Sequence, residues 1–159
     1  DRHMHSLSGF LHRDHTISSL DYLDILKATQ FLTQDMQEVL KAYRLACFNV
    51  FSHNRDDHAK NFSYLMGVDG KWRFSPAYDL VFSNGPGGEH HTTVAGEGAH
   101  PGKSHLLQLA DKFGIKHRQA SPVIEEVCNA MRSWREFANE AGVSRKAATS
   151  IQRVIDSIQ

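Results

Sequence analysis

Two carboxylates, an imidazole, an ammonium and a carboxamide fall within six residues at Asp56-Asp57-His58-Ala59-Lys60-Asn61, and another carboxylate, Asp79, follows 18 residues after Asn61. Groups of this kind are costly to bury, so their natural place is a cleft. Asp and Asn oxygens facing one cavity make a hard, oxygen-only site with few protein ligands. That suits magnesium, which keeps several waters and takes its remaining ligands from phosphates. Phosphoryl transfer uses these parts: a carboxylate orients the acceptor hydroxyl, while an Asp and an Asn hold Mg²⁺ against the phosphates. Asp56 precedes Asn61 by five residues, and Lys60 or His58 could meet the transferring phosphate as cation or donor. A rival chemistry uses the same stretch. His53, Asp56, Asp57 and His58 form a His-Asp cluster of the sort that takes Mn²⁺ or Zn²⁺ in a metal-dependent hydrolase.

The elements that must position these groups are legible around them. Thr33 is a candidate cap for a helix over about 33–52, with Met36, Val39, Leu40, Tyr43, Leu45, Ala46 and Phe48 at helical spacing. Ser18-Ser19 is a candidate cap for a shorter helix carrying Leu20, Tyr22, Leu23, Ile25 and Leu26. After the polar stretch, Asn61 to Gly67 and Lys71 to Ser75 are β-prone runs flanking Val68-Asp69-Gly70, a strong hairpin signal. A hairpin returns the chain close to where it began, so Asp79 can lie beside Asn61. Residues 1–20 read as irregular. The stretch 84–104 is rich in glycine and punctuated by proline, and Thr92-Thr93-Val94 can supply one short strand inside it. Ser104 can cap a helix ending at Gly114. Ser121-Pro122 is expected to start the next helix, bearing Val123, Ile124, Val127, Met131, Trp134 and Phe137 on one core-facing side up to Gly142. Ser144 caps the last helix, with Ala147, Ile151, Val154, Ile155 and Ile158. The expected fold is mainly α with a central β-hairpin (α+β).

With 159 residues, 40% of them hydrophobic, the chain suits one compact domain or one large lobe. Its 18 basic and 18 acidic side chains cancel, so no sequence-wide field draws it to nucleic acid or an anionic membrane. Arg132, Arg135, Arg145, Lys146 and Arg153 have balanced acids nearby and no aromatic interleaving, which describes a solvated face rather than a nucleic-acid interface. No run of about 18 apolar residues suggests a membrane span, and no secretory signal pattern is visible. Cys47 and Cys128 lack C-x-x-C spacing and read as buried free thiols of a reducing cytosol. The histidines at 3, 5, 12, 15, 90, 91, 100 and 105 read as surface or hydrogen-bonded groups rather than a zinc set.

The run Asn54-Arg55-Asp56-Asp57-His58-Ala59-Lys60-Asn61-Phe62-Ser63, followed by Ser75-Pro76-Ala77-Tyr78-Asp79-Leu80, resembles the central signature of the HipA kinases. These are toxin components of bacterial toxin–antitoxin systems, distantly related to the protein kinases. Asp1-Arg2, Ser6-Leu7, Leu11-His12 and Ser19-Leu20-Asp21-Tyr22 resemble flanking segments of the family, so the likeness spans nearly the whole chain. The resemblance implies a helical C-terminal lobe of a kinase-like fold over 1–159, in a cytoplasmic serine/threonine kinase using ATP and Mg²⁺. Asp56 matches the family's catalytic aspartate, and Asn61 and Asp79 match the residues holding Mg²⁺ with ATP. His58 and Lys60 match the family's loop histidine and lysine. Asp57 stands where some relatives have glycine; its carboxylate could raise cation affinity or simply be solvated. The nucleotide-covering loop and N-lobe lysine would precede Asp1, so the N-lobe is expected from further sequence or another chain, and this lobe alone is expected to transfer phosphate slowly. The resemblance also implies a protein substrate, with aminoacyl-tRNA synthetases among those of relatives, and an antitoxin partner that is a DNA-binding dimer. A lobe that docks an antitoxin or an N-lobe partner without catalysis is the alternative of a different class.

Overall fold

The computed structural model describes residues 3–10 and 20–158. Its elements run β1 (His3–Ser6), α1 (Leu7–Phe10), β2 (Leu20–Asp21), α2 (Tyr22–Thr33) and α3 (Met36–Phe51), then the hairpin strands β3 (Ser63–Met66) and β4 (Trp72–Phe74). A short strand β5 (Thr92–Thr93) precedes the helices α4 (Lys103–Phe113), α5 (His117–Arg132), α6 (Trp134–Glu140) and α7 (Arg145–Asp156). Helices dominate and the hairpin is central, as expected.

The core is built mainly by α2 and α3. Tyr22, Ile25, Leu26 and Thr29 follow the i, i+3, i+4, i+7 pattern and are fully buried. Val39, Ala42, Tyr43, Ala46, Cys47 and Val50 of α3 continue the same core. The caps differ from those expected. Asp21 caps α2: its carboxylate accepts from Leu23 N at 2.8 Å, and Asp24 returns the bond to Asp21 N at 3.2 Å. Ser18-Ser19 lies outside the described residues. Asp35, not Thr33, caps α3 by accepting from Gln37 N at 2.8 Å. Gln34 turns left-handed at φ 51 to end α2, so Thr33 belongs to the preceding helix and bonds back to the Thr29 carbonyl.

The hairpin forms where expected, and its register sets Tyr64 opposite Phe74 and Met66 opposite Trp72. Gly70 takes φ 72 in its turn, a conformation glycine enters at no steric cost. Residues 3–6 are not irregular but form an outer strand, with His3 opposite Met66 and Ser6 opposite Ser63. That strand is largely exposed, so no apolar alternation marked it. β2 and β5 pair in parallel, Leu20 with Thr92 and Asp21 with Thr93, which accounts for the strand expected at 92–94.

In the C-terminal half, Gly102 rather than Ser104 caps α4, and Gly114 ends it at φ 97. Helix α5 begins at His117 rather than at Ser121, leaving Pro122 inside the helix. The proline forgoes one amide donor, while the added turn buries Ala120 against the core. The helix then breaks at Ser133. The break rotates the following face, and Phe137, expected in the core, is 60% exposed. Trp134 remains packed against the core. Ser144 caps α7 as expected, accepting from Ala147 N at 3.3 Å. Cys47 and Cys128 are buried thiols that form no disulfide.

Candidate active site

Helix α3 delivers the chain to the polar stretch and stops there. His53 takes φ 57 and its ring stacks on Phe82 at a centroid distance of 5.1 Å. The chain next runs beside residue 83: Ser83 N donates to the His53 carbonyl at 3.0 Å and Arg55 N to the Ser83 carbonyl at 3.3 Å. A loop fixed this way at both ends holds its side chains rigidly while leaving them open. Asp56 and His58 are half-buried and Lys60 is exposed.

Asn61 Nδ2 donates to the Asp56 carbonyl at 2.9 Å. This bond closes the five-residue interval and leaves Oδ1, the amide's acceptor, for another partner. Past the hairpin, the Tyr78 hydroxyl donates to the Lys60 carbonyl at 2.6 Å and therefore accepts from Ser63 Oγ at 2.5 Å. Tyr78 thereby pins the segment carrying Asp79 to the end of the polar loop. Asp79 itself is exposed at φ 54, a backbone region where aspartate is enriched and ordinary residues are strained. An apolar pocket of about 800 Å³ between α3 and the hairpin is lined by Phe48, Leu65, Phe74, Ala77 and Leu80, the last two close to Asp79 in sequence. Oxygen donors from one amide and one exposed carboxylate fit a magnesium ion that keeps most of its water.

Asp57 is neither solvated nor aimed at a cation. Its side chain is fully buried and accepts from Tyr22 Oη at 2.7 Å, His90 Nδ1 at 2.9 Å and Thr92 N at 3.2 Å. Thr92 Oγ1 also donates to the Asp57 carbonyl. Asn49 Nδ2 donates to Tyr22 Oη at 2.9 Å, and Asn54 Nδ2 to Asn49 Oδ1 at 3.0 Å, which carries the network back into α3. Burial, then the Asp57 charge, holds the Tyr22 phenol well above its ordinary pKa. With Asp57 consumed and His53 buried under Phe82, the cluster His53, Asp56, Asp57 and His58 does not assemble as a metal site. Among the described residues, no three His, Cys, Asp or Glu side chains converge on one.

Sequence reasoning missed the partners that the 84–104 stretch supplies. His91 Nδ1 lies 3.5 Å from Asp56 Oδ1, and its ring meets His58 edge-on at 5.8 Å. Arg55 donates to the Gly88 carbonyl and, at 2.8 Å, to the Ala99 carbonyl. Among the described residues, the buried side-chain polar atoms lacking a protein partner are Ser52 Oγ, His53 Nδ1, Asn54 Oδ1, Arg55 Nε and His58 Nδ1. All lie in this single loop, and orphaned buried polar atoms are rare enough in folded proteins to need a reason such as a bound ligand.

The chain is thus a helical lobe with a central hairpin that carries Asp56, Asn61 and Asp79 around it. The chain belongs to the HipA-like C-terminal domain family, whose model matches residues 1–135. No curated protein sequence matches it. Among solved structures it is similar to the HipA chain of the Shewanella oneidensis MR-1 toxin–antitoxin complex of HipA, HipB and operator DNA. That match has a TM-score of 0.66 at 14% identity and covers 88% of this chain and 34% of that one. This chain thus spans about a third of that relative, and the likeness is one of fold.

Proposed function

We propose that this chain is the catalytic C-terminal lobe of a HipA-like serine/threonine protein kinase, which transfers the ATP γ-phosphate to a protein hydroxyl as the toxin of a toxin–antitoxin system. The observation that carries this reading is the bond from Asn61 Nδ2 to the Asp56 main-chain carbonyl, which fixes a metal-type amide against the residue that bears the base-type carboxylate, across the spacing phosphoryl transfer uses. Asp56 accepts the hydrogen bond of the acceptor hydroxyl and orients its oxygen. Asn61 Oδ1 and the Asp79 carboxylate hold Mg²⁺. The Lys60 ammonium and the His58 imidazole stand on the same loop to offset charge on the phosphate. When bound, MgATP supplies the phosphoryl group and the positive charge opposing its oxygens.

On this reading residues 1–159 are one lobe. The nucleotide-covering lobe comes from sequence outside it or from another chain. The relative's complex with HipB and operator DNA favours an antitoxin as partner, and the acceptor is a cytoplasmic protein of the aminoacyl-tRNA synthetase kind. No helix among the described residues is long and apolar enough to cross a membrane. The test is phosphate transfer from ATP by the complete protein with and without Asp56→Asn. A loss of about 100-fold or more is expected for a removed general base; undiminished transfer refutes the assignment.

A further inference from the structure

Both sequence neighbours of Asp56 are spent on the same segment. On one side, the Arg55 guanidinium holds the Gly88 and Ala99 carbonyls, and the Arg55 carbonyl accepts from His91 N at 3.2 Å. On the other, the Asp57 carboxylate takes His90 Nδ1 and Thr92 N. Since a carboxylate only accepts, His90 is the donor in that bond. The segment comes close enough that a Cβ at Gly85 would meet the Arg55 Cβ at 2.8 Å and the Glu89 carbonyl at 2.2 Å. Its far end is held by Asp21, the cap of α2, which accepts from Thr93 Oγ1 at 2.6 Å and Gly96 N at 2.8 Å.

We propose that Arg55 and Asp57 are positioning residues that lock the glycine-rich segment 84–102 onto the catalytic loop as a preformed wall for the protein acceptor, presenting His91 to Asp56. The inference rests on the kinase reading of Asp56. Its physical basis is the difference in burial between the clamps and the groups they position. Asp57, His90 and Thr92 are buried, whereas the Asp56 and His91 side chains remain 42% and 36% exposed. An acceptor hydroxyl approaching Asp56 therefore passes the His91 ring. Kinase activation loops are commonly ordered when an arginine pairs with a phosphorylated side chain. Here the two terminal nitrogens of Arg55 already donate to main-chain carbonyls of the segment, so the segment is ordered without that modification.

The experiment compares wild-type full-length protein with Asp57→Asn and Arg55→Lys. It reads amide exchange over residues 84–102, the Kd for MgATP, and the KM for dephosphorylated casein as acceptor probe. We expect exchange over 84–102 to quicken about tenfold as the clamp opens locally. The casein KM should rise about tenfold from the lost positioning, with the MgATP Kd within about twofold of wild type. Unchanged exchange overturns the proposal. So does acceleration spread equally over α2 and α3, or a MgATP Kd that weakens in step with the acceptor KM, since either marks a general structural role. If the wild type transfers no phosphate, the kinase reading fails, and the exchange data alone then decide whether the clamp exists.

Discussion

Removing one hydroxyl from Tyr22 tests whether the network beneath Asp56 carries the energy its geometry implies. Tyr22 and Tyr43 are both fully buried, so Tyr→Phe at either position removes the same atom from the same kind of environment. Their bonds differ. Tyr22 Oη donates to the Asp57 carboxylate and accepts from Asn49 Nδ2, whereas Tyr43 Oη donates to the Leu106 main-chain carbonyl at 2.9 Å. A hydrogen bond to a charged group contributes about 1.5–3 kcal/mol, and a buried donor left unpaired costs a further ~1 kcal/mol or more. Tyr22→Phe should therefore destabilise by about 3 kcal/mol, and Tyr43→Phe by about 1 kcal/mol, the size of an ordinary neutral bond. The assay is urea denaturation with the midpoint read at unchanged m-value. A Tyr22→Phe cost no larger than that of Tyr43→Phe would refute the reasoning and mean that Asp57 is satisfied without its phenol partner.

Further outcomes follow from other sites. Gly85→Ala should cost about 3 kcal/mol, since its Cβ has no room and its φ is +67, whereas Gly87→Ala, at φ +69 in open space, should cost only about 1 kcal/mol; equal midpoints in urea would contradict this. Burial raises the pKa of both thiols, Cys47 more than Cys128, so neither should react with a disulfide reagent at pH 8 until urea is added; rapid native-state labelling of both would count against their packing. Burial, and then the Arg55 charge, lowers the His53 pKa. The unfolded chain thus binds that proton more tightly than the folded one, and stability falls as pH drops below about 6.5. His53→Asn, which accommodates the left-handed backbone, should flatten the fall in Tm between pH 7 and 5; parallel Tm curves for the two proteins would exclude the effect.

Local signals in the sequence reached local structure well. Helical spacing gave α2 and α3, Asp-Gly between β-prone runs gave the hairpin, and Gly114 and Ser144 marked a helix end and a helix start. These succeed because each rests on interactions within a few residues. Where two local rules competed, packing chose. Asp21 and Asp35 took the capping roles expected of serine and threonine, and α5 began before Ser121-Pro122 because the extra turn buries Ala120.

For the site, the sequence alone placed the candidate groups: the spacing of Asp56, Asn61 and Asp79 and the hairpin between the last two are chain-local properties. Tertiary structure decided which of the paired aspartates is available. Asp56 and Asp57 are identical in type and adjacent, yet one is open beside His91 and the other is fully buried under Tyr22, His90 and Thr92. Those partners lie 33 to 35 residues away in the chain. A carboxylate can be buried only where enough donors meet it, and the meeting of donors from distant segments is fixed by the fold.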